Sequence, residues 1–166
     1  VEPWIHAESP VLQHLQAEAL RHKARSVRLA ALTQKANQAL VDAGVPALWI
    51  KGIALAHTSY SHPWLRFMMD VDVLVPDDQA LVALDVLQQA GFENELYQSM
   101  EMQLREAEDQ RKFIHHFILF SGARDTRIEL HYDLAIRRES RLPLAILDWF
   151  WQHSHVVETQ IGELRV

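Results

Sequence analysis

The most informative absences in this sequence are cysteine, long apolar runs and an excess of positive charge. With no cysteine in 166 residues, the chain has no disulfide framework, no thiolate nucleophile and no cysteine-ligated zinc site. No signal-peptide core is present, and no apolar run approaches the roughly 18 residues that a membrane span requires. We therefore expect a cytoplasmic location. The formal net charge of -6 argues against a surface built to hold nucleic-acid backbones.

What the sequence does contain is enough apolar material for one core. Hydrophobic residues make up 49% of the chain, and its length fits a single domain. We expect an N-terminal helical segment at residues 1–44, followed by an α/β core at residues 45–166. The chain begins with Val1 and its last residues follow a strand pattern. We interpret it as a fragment that stops before a C-terminal helical segment.

Helices alternate with strands along the chain. Ser9 is a helix N-cap followed by Pro10, and no glycine or proline interrupts the sequence from there to Val41, which predicts one helix or two consecutive ones. Gly44 supplies the stop. The whole pattern predicts an α/β or α+β fold with a mixed sheet flanked by helices. Strands are predicted at 47–50, 66–75, 113–120, 126–132 and twice near the end of the chain, and helices at 53–60, 78–90 and 144–151, with a polar stretch through 110 that is helical or irregular.

Two carboxylates separated by one residue stand in an apolar strand pattern, Met69-Asp70-Val71-Asp72-Val73-Leu74-Val75. Because alternate side chains of a strand point to the same face, we expect Asp70 and Asp72 to lie close together. Their repulsion and the cost of burying them indicate a cation between them, and oxygen ligands favour Mg²⁺ or Mn²⁺. Taken alone, however, the pattern is more typical of a strand whose alternate positions face solvent.

A second strand pattern, Thr126 to Asp133, carries polar residues at every other position. The alternation puts Arg127, Glu129 and His131 on one face and apolar residues on the other. Glu129 is therefore a candidate third carboxylate, and His131 is a candidate contact to a nucleotide or an acceptor. An ordinary strand with one solvated face has the same pattern, so this alternative stays open.

The segment Trp49-Ile50-Lys51-Gly52 predicts a strand-to-helix turn. Gly52 permits close backbone approach, and the helix that follows offers free N–H groups to an anion. Glycine at such a turn is also common for purely structural reasons. Arg66 lies four residues before Asp70 in the same predicted strand, so it shares that face and is a candidate phosphate contact. A surface ion pair is the alternative for Arg66.

These segments together resemble the DNA polymerase β-type nucleotidyltransferase superfamily, and specifically its family of uncharacterised nucleotidyltransferases. The resemblance extends from about residue 45 to residue 135. It is carried, in chain order, by Leu48 to Ala56, Tyr60, Arg66 to Val75, and Ile128 to Tyr132.

The resemblance implies a mixed sheet flanked by helices, with the Lys51-Gly52 turn near the triphosphate and two Mg²⁺ (or Mn²⁺) ions held by Asp70, Asp72 and Glu129. The implied reaction transfers a nucleoside monophosphate from an NTP, for example ATP, to a hydroxyl of an acceptor. Glu129 is the expected acceptor-side metal ligand. Lys51 departs from the Gly-Ser or Gly-Gly pair of the wider superfamily, and a lysine there can bind phosphate as a point charge.

The acceptor expected from the acidic balance is a small molecule, a peptide or a protein in preference to RNA. Two rival functions stay open. One is a catalytically silent relative that binds a nucleotide or a protein partner. The other is a metal-dependent glycosyltransferase, which also uses Asp-x-Asp but needs a longer domain before the motif than the 69 residues that precede Asp70.

The histidines give a weaker pattern. His115 and His116 occupy neighbouring positions of a predicted strand, so we expect them on opposite faces, which excludes an ion shared by those two alone. His116 is the better candidate to line the site beside His131. The other is expected to be a core histidine.

Overall fold

The computed structural model describes residues 9–94, 115–122, 126–134 and 144–166. Most of the polar stretch predicted through residue 110 lies outside these ranges, as do residues 123–125 of the loop between the two later strands. The helices are α1 (Pro10–Asp42), α2 (Lys51–Thr58), α3 (Ala80–Gln89) and α4 (Leu144–His153), with 3₁₀ turns at Pro63–Leu65 and Asp77–Gln79. The strands are β1 (Leu48–Ile50), β2 (Asp70–Leu74), β3 (Glu93–Asn94), β4 (His116–Phe120), β5 (Arg127–His131), β6 (Val156–Thr159) and β7 (Gly162–Arg165).

Among the described residues, five strands form a mixed sheet in the order β1-β2-β5-β4-β3. The central pair, β2 and β5, is parallel, whereas β1 with β2, β4 with β5, and β3 with β4 are antiparallel. Strands β6 and β7 form a separate antiparallel hairpin. The predicted mixed sheet flanked by helices is therefore confirmed, and so are the two short strands near the end of the chain.

Helix α1 is one unbroken helix of 33 residues. Ser9 is its N-cap, Pro10 occupies the first turn, and the Gln13 N–H donates to the Ser9 carbonyl at 3.0 Å. The helix ends before Gly44, whose φ of +69° is a conformation that glycine adopts without strain. The buried residues of the helix all lie in its second half, where they recur at intervals of three and four residues. That half joins the core through Leu29, Leu32, Ala36 and Leu40.

The core lies between this half of α1, helices α2 and α3, and one face of the sheet. Val71 and Val73 of β2 and Ile128 and Leu130 of β5 are fully buried on that face. Trp49 of β1 is also fully buried, and its indole N–H donates to the Asn37 side chain at 2.8 Å. Because Val71, Val73, Ile128 and Leu130 face the helices, the residues that alternate with them, including the polar residues of both strands, must project from the opposite face.

Two of the element boundaries that differ from the sequence prediction involve candidate site residues. Strand β2 begins at Asp70, not at residue 66, because its partner β5 begins at Arg127, directly opposite Asp70. Helix α2 begins at Lys51, immediately after β1, so the predicted break between strand and helix is absent. The first shift places Asp70 at the start of its strand, and the second places Lys51 at the start of its helix.

Among the described residues, no helix has the length and apolar character needed to cross a membrane.

Candidate active site

The site begins with the parallel pairing of β2 and β5. Their register sets Asp70 opposite Arg127 and Asp72 opposite Glu129. All four side chains stand at alternate positions of the two strands, on the face opposite the core. The pairing therefore gathers three carboxylates and one guanidinium on neighbouring strands.

Asp72 is the most deeply buried of these three carboxylates, with 5% of its surface exposed. One of its oxygens accepts from Lys51 Nζ at 2.5 Å and faces His131 Nε2 at 2.9 Å. Lys51 reaches Asp72 because Ile50, the last residue of β1, pairs directly with Asp72. A buried carboxylate requires such partners, since an unpaired charge in a core is strongly unfavourable.

Glu129 and Asp70 share a second cation. Arg127 Nη2 lies 3.0 Å from Asp70 Oδ2 and 3.3 Å from Glu129 Oε1. Glu129 Oε2 also lies 3.5 Å from His131 Nε2. The hydrogen bond from His131, with smaller contributions from neighbouring positive charge, lowers the pKa of Glu129 to about 2. Glu129 is therefore ionised across the physiological range.

His131 joins the two halves of this network. Its ring is 2% exposed. Burial lowers its pKa, but the hydrogen bonds to Asp72 and Glu129 outweigh burial, so the pKa is raised above its ordinary value. The sequence predicted His131 as a contact at the site, and the structure brings its ring within hydrogen-bond distance of Asp72.

The turn between β1 and α2 depends on both of its residues. Lys51 has a φ of +55°, a left-handed conformation that is unusual for a residue with a side chain. Gly52 does not use a positive φ. A larger residue is instead disfavoured by lack of space, because a Cβ at this position would lie 2.9 Å from Met68 Cγ and 3.0 Å from Met68 Sδ. The expected close approach at Gly52 is therefore to Met68.

A divalent metal fits this donor set. Within the described part of the chain, ligand atoms of Asp72, Glu129 and His131 lie within 4.8 Å of one another. The two carboxylates suit Mg²⁺ or Mn²⁺, and the imidazole lies against them. Asp70 stands outside this group and is paired with Arg127, although the register keeps it on the same face.

Arg66 does not lie where the sequence placed it. It follows the 3₁₀ turn at Pro63–Leu65, outside β2, so strand alternation does not align it with Asp70. Its guanidinium donates to the carbonyl of Phe67 at 2.9 Å. The prediction that Arg66 shares a strand face with Asp70 is wrong because the ladder begins only at Asp70.

Comparison with family models gives one decisive match, to an uncharacterised nucleotidyltransferase family, over residues 6–166. The chain belongs to this nucleotidyltransferase family. No curated protein and no solved structure matches it. Membership indicates transfer from a nucleoside triphosphate in general, and the confirmed mixed α/β architecture agrees with it.

One prediction about the histidines of this nucleotidyltransferase family member is wrong. His115 and His116 do not diverge to opposite faces, since His115 Nε2 lies 3.0 Å from His116 Nδ1. The reason is that β4 begins only at His116, so His115 precedes the strand and does not follow its alternation. His116 pairs with His131 across the ladder, with ring centroids 5.0 Å apart, beside the site as expected.

Arg127 is the residue whose position in the site the sequence did not identify. The alternation put it on the polar face of its strand, but nothing in the sequence paired it with Asp70. The parallel register of β2 and β5 is the feature that identifies it, because this register sets Asp70 opposite Arg127. A cation at that register position is what two neighbouring carboxylates require.

The close contact at Gly52 predicts a measurable coupling with Met68. We expect Gly52→Ala to lower the free energy of unfolding by about 1–3 kcal/mol, because the new methyl group overpacks against Met68. In a double-mutant cycle, Met68→Ala should remove most of that cost, so the two changes should be far from additive in urea denaturation. Additive losses would contradict the contact.

The half-buried position of His116 predicts a pH dependence of stability. Burial lowers its pKa from 6.5 to about 4, so the unfolded chain binds more protons than the folded chain between these values. Stability from this residue is therefore lost as the pH falls from about 6.5 to about 4. We expect His116→Gln to lose less unfolding free energy than the native chain between pH 7 and pH 4.5, as measured by urea denaturation. The matched change of exposed His14 to Gln should retain the native slope, and equal slopes in all three proteins would refute this assignment.

Proposed function

We propose that this chain transfers a nucleoside monophosphate from an NTP to a hydroxyl of an acceptor, in a Mg²⁺-dependent reaction. The observation that carries the proposal is the pairing of Asp72 with Glu129 on adjacent parallel strands, next to the Lys51-Gly52 turn. Family membership gives the general reaction class. The arrangement of carboxylates and cations supports the proposed metal dependence.

Asp70, Asp72 and Glu129 would hold the metal, with His131 against them. When bound, Mg²⁺ would neutralise charge on the triphosphate and lower the pKa of the acceptor hydroxyl. The fit of the residues rests on their chemistry and burial. Asp72 is almost fully buried and is already engaged with positive charge, so it favours an ion in that position.

Lys51 would exchange partners when substrate binds. Its ammonium now neutralises Asp72, and a metal at Asp72 would release it. A released lysine at the start of α2 would meet a phosphate together with the free N–H groups of the first helical turn. The side chain is about half exposed, which leaves it room to move. Lys51 and Gly52 are thus assigned to triphosphate binding.

Glu129 would act on the acceptor side. Its low pKa keeps it ionised, so it is available as a metal ligand. His131 would hold Glu129 and Asp72 in position through Nε2. Arg127, which now pairs with Asp70 and Glu129, would remain near the phosphates as a second cation.

For the acceptor, we favour a small molecule, a peptide or a protein over RNA. The chain carries a formal net charge of -6, and an RNA-binding surface is expected to be basic. We also propose a cytoplasmic location, where nucleoside triphosphates are available. The boundary between a helical segment at residues 1–44 and a transferase core at 45–166 is likewise a proposal.

One observation favours a second candidate function, a catalytically silent relative. The Lys51–Asp72 ion pair occupies the carboxylate that a metal requires. If Lys51 does not leave Asp72, the ion pair takes the place of the metal. The protein would then bind a nucleotide or a protein partner without catalysing transfer. The two functions differ in whether a divalent ion can displace Lys51.

The first test is calorimetric titration of ATP, GTP, CTP and UTP, with and without Mg²⁺. We expect micromolar binding of at least one NTP that requires Mg²⁺ and disappears in Asp70→Asn/Asp72→Asn, because the metal links the triphosphate to these carboxylates. The charge-matched control Asp42→Asn/Asp78→Asn changes two exposed carboxylates elsewhere and should bind as the native chain does. Metal-independent binding, or no binding of any NTP to the folded chain, would contradict the proposal.

Lys51→Met separates the two candidate functions. In a transferase it should bind Mg²⁺ alone more tightly, since a competing cation is removed. It should bind Mg²⁺-NTP at least about tenfold more weakly, since one charged hydrogen bond to phosphate contributes about 1.5–3 kcal/mol. Calorimetry of both ligands measures the two effects. Opposite signs support the transferase, whereas unchanged NTP affinity would remove Lys51 from the phosphate site.

A further inference from the structure

Beside the carboxylates lies a second group of potential ligands, which we name the imidazole cluster: His115, His116 and His131. Their ring centroids are 4.4 Å (His115 to His116), 5.0 Å (His116 to His131) and 5.5 Å (His115 to His131) apart. One nitrogen from each ring lies within 4.8 Å of the others. The three residues lie directly before β4, in β4 and in β5.

The cluster is fixed by the backbone. His116 and His131 are direct partners in the antiparallel β4–β5 ladder. The His115 carbonyl accepts from the backbone N–H of Tyr132 at 3.1 Å and of Asp133 at 3.4 Å. The backbone positions of the three residues are thus fixed by the β4–β5 ladder and the hydrogen bonds next to it.

His131 offers a nitrogen that nothing else in the described structure uses. Its Nε2 faces Asp72 and Glu129. Its Nδ1 is buried and has no hydrogen-bond partner among the described residues. A buried polar atom without a partner is unfavourable by about 1–3 kcal/mol, so a ligand on that side of the ring would remove a real penalty.

The contact with Asp72 on the other side of the ring completes a familiar pattern. A histidine that binds a metal through one nitrogen usually donates its other N–H to a carboxylate, which fixes the tautomer and the ring orientation. His131 Nε2 lies 2.9 Å from Asp72 Oδ1. With the proton on Nε2, the Nδ1 lone pair is free for an ion.

We propose that the imidazole cluster binds a borderline divalent cation, of the class of Zn²⁺, Co²⁺ and Ni²⁺, through one nitrogen from each of its three rings. Imidazole ligands prefer these ions to Mg²⁺, which prefers oxygen. Three protein ligands with an open fourth position form a typical non-structural zinc arrangement. Bond lengths of about 2.0–2.1 Å require the rings to close around the ion. The site adjoins the Mg²⁺ position between Asp72 and Glu129 and shares His131 with it, with Nε2 of that ring on the carboxylates and Nδ1 left for the cluster. It does not depend on nucleotidyl transfer.

The test is Co²⁺ titration of the whole chain in excess Mg²⁺, followed by visible absorption and checked by Zn²⁺ displacement. We expect one Co²⁺ per chain with a nitrogen-ligand spectrum. Binding should weaken at least tenfold in His115→Asn and in His116→Asn. It should be unchanged in Asp70→Asn, which alters the carboxylate site, and in His14→Asn, an exposed histidine of α1. Equal binding by the native chain and both cluster variants would overturn the proposal.

His115→Cys provides a second measurement that does not depend on loss of binding. Because the chain has no cysteine, a thiolate-to-cobalt charge-transfer band in this variant can come only from residue 115. We expect that band in His115→Cys and its absence in His14→Cys. If His115→Cys is folded by circular dichroism and shows no such band, residue 115 is not a ligand and the proposed site is wrong.

Discussion

Carboxylates held side by side on neighbouring strands must be balanced by positive charge, and this requirement shapes the whole site. Asp72 is buried, Glu129 lies directly opposite it, and Asp70 stands two residues away on the same face. Lys51 and Arg127 supply the balance in the structure. In the proposed reaction, a divalent ion would neutralise part of this negative charge. Lys51 would then be free to bind a phosphate of the substrate.

The fold keeps these charges close without strain on the core. On the inner faces of β2 and β5, fully buried valine, isoleucine and leucine pack against α1, α2 and α3. This packing fixes the strand register, since a shift by one residue would turn the carboxylates into the core. The register in turn sets Ile50 beside Asp72 and brings Lys51 to the carboxylates at the start of α2. Stability and site geometry therefore depend on the same strand contacts.

Local rules predicted the parts of this site that depend on a single strand. Alternation alone places Asp70 and Asp72 together, and it places Glu129 and His131 together. It cannot pair strands that are distant in sequence, so the contact of Arg127 with Asp70 was not predicted. The predictions at the starts of two strands were wrong for a similar reason. Arg66 and His115 lie just outside β2 and β4, where the ladder that would enforce alternation has not begun.

The most direct test of this account is a crystal structure of the whole chain with Mn²⁺ and a non-hydrolysable NTP, read by anomalous scattering. The account predicts a manganese peak between Asp72 and Glu129, with Lys51 moved from Asp72 to a phosphate oxygen. A bound nucleotide with Lys51 still on Asp72 and no peak at the carboxylates would contradict it.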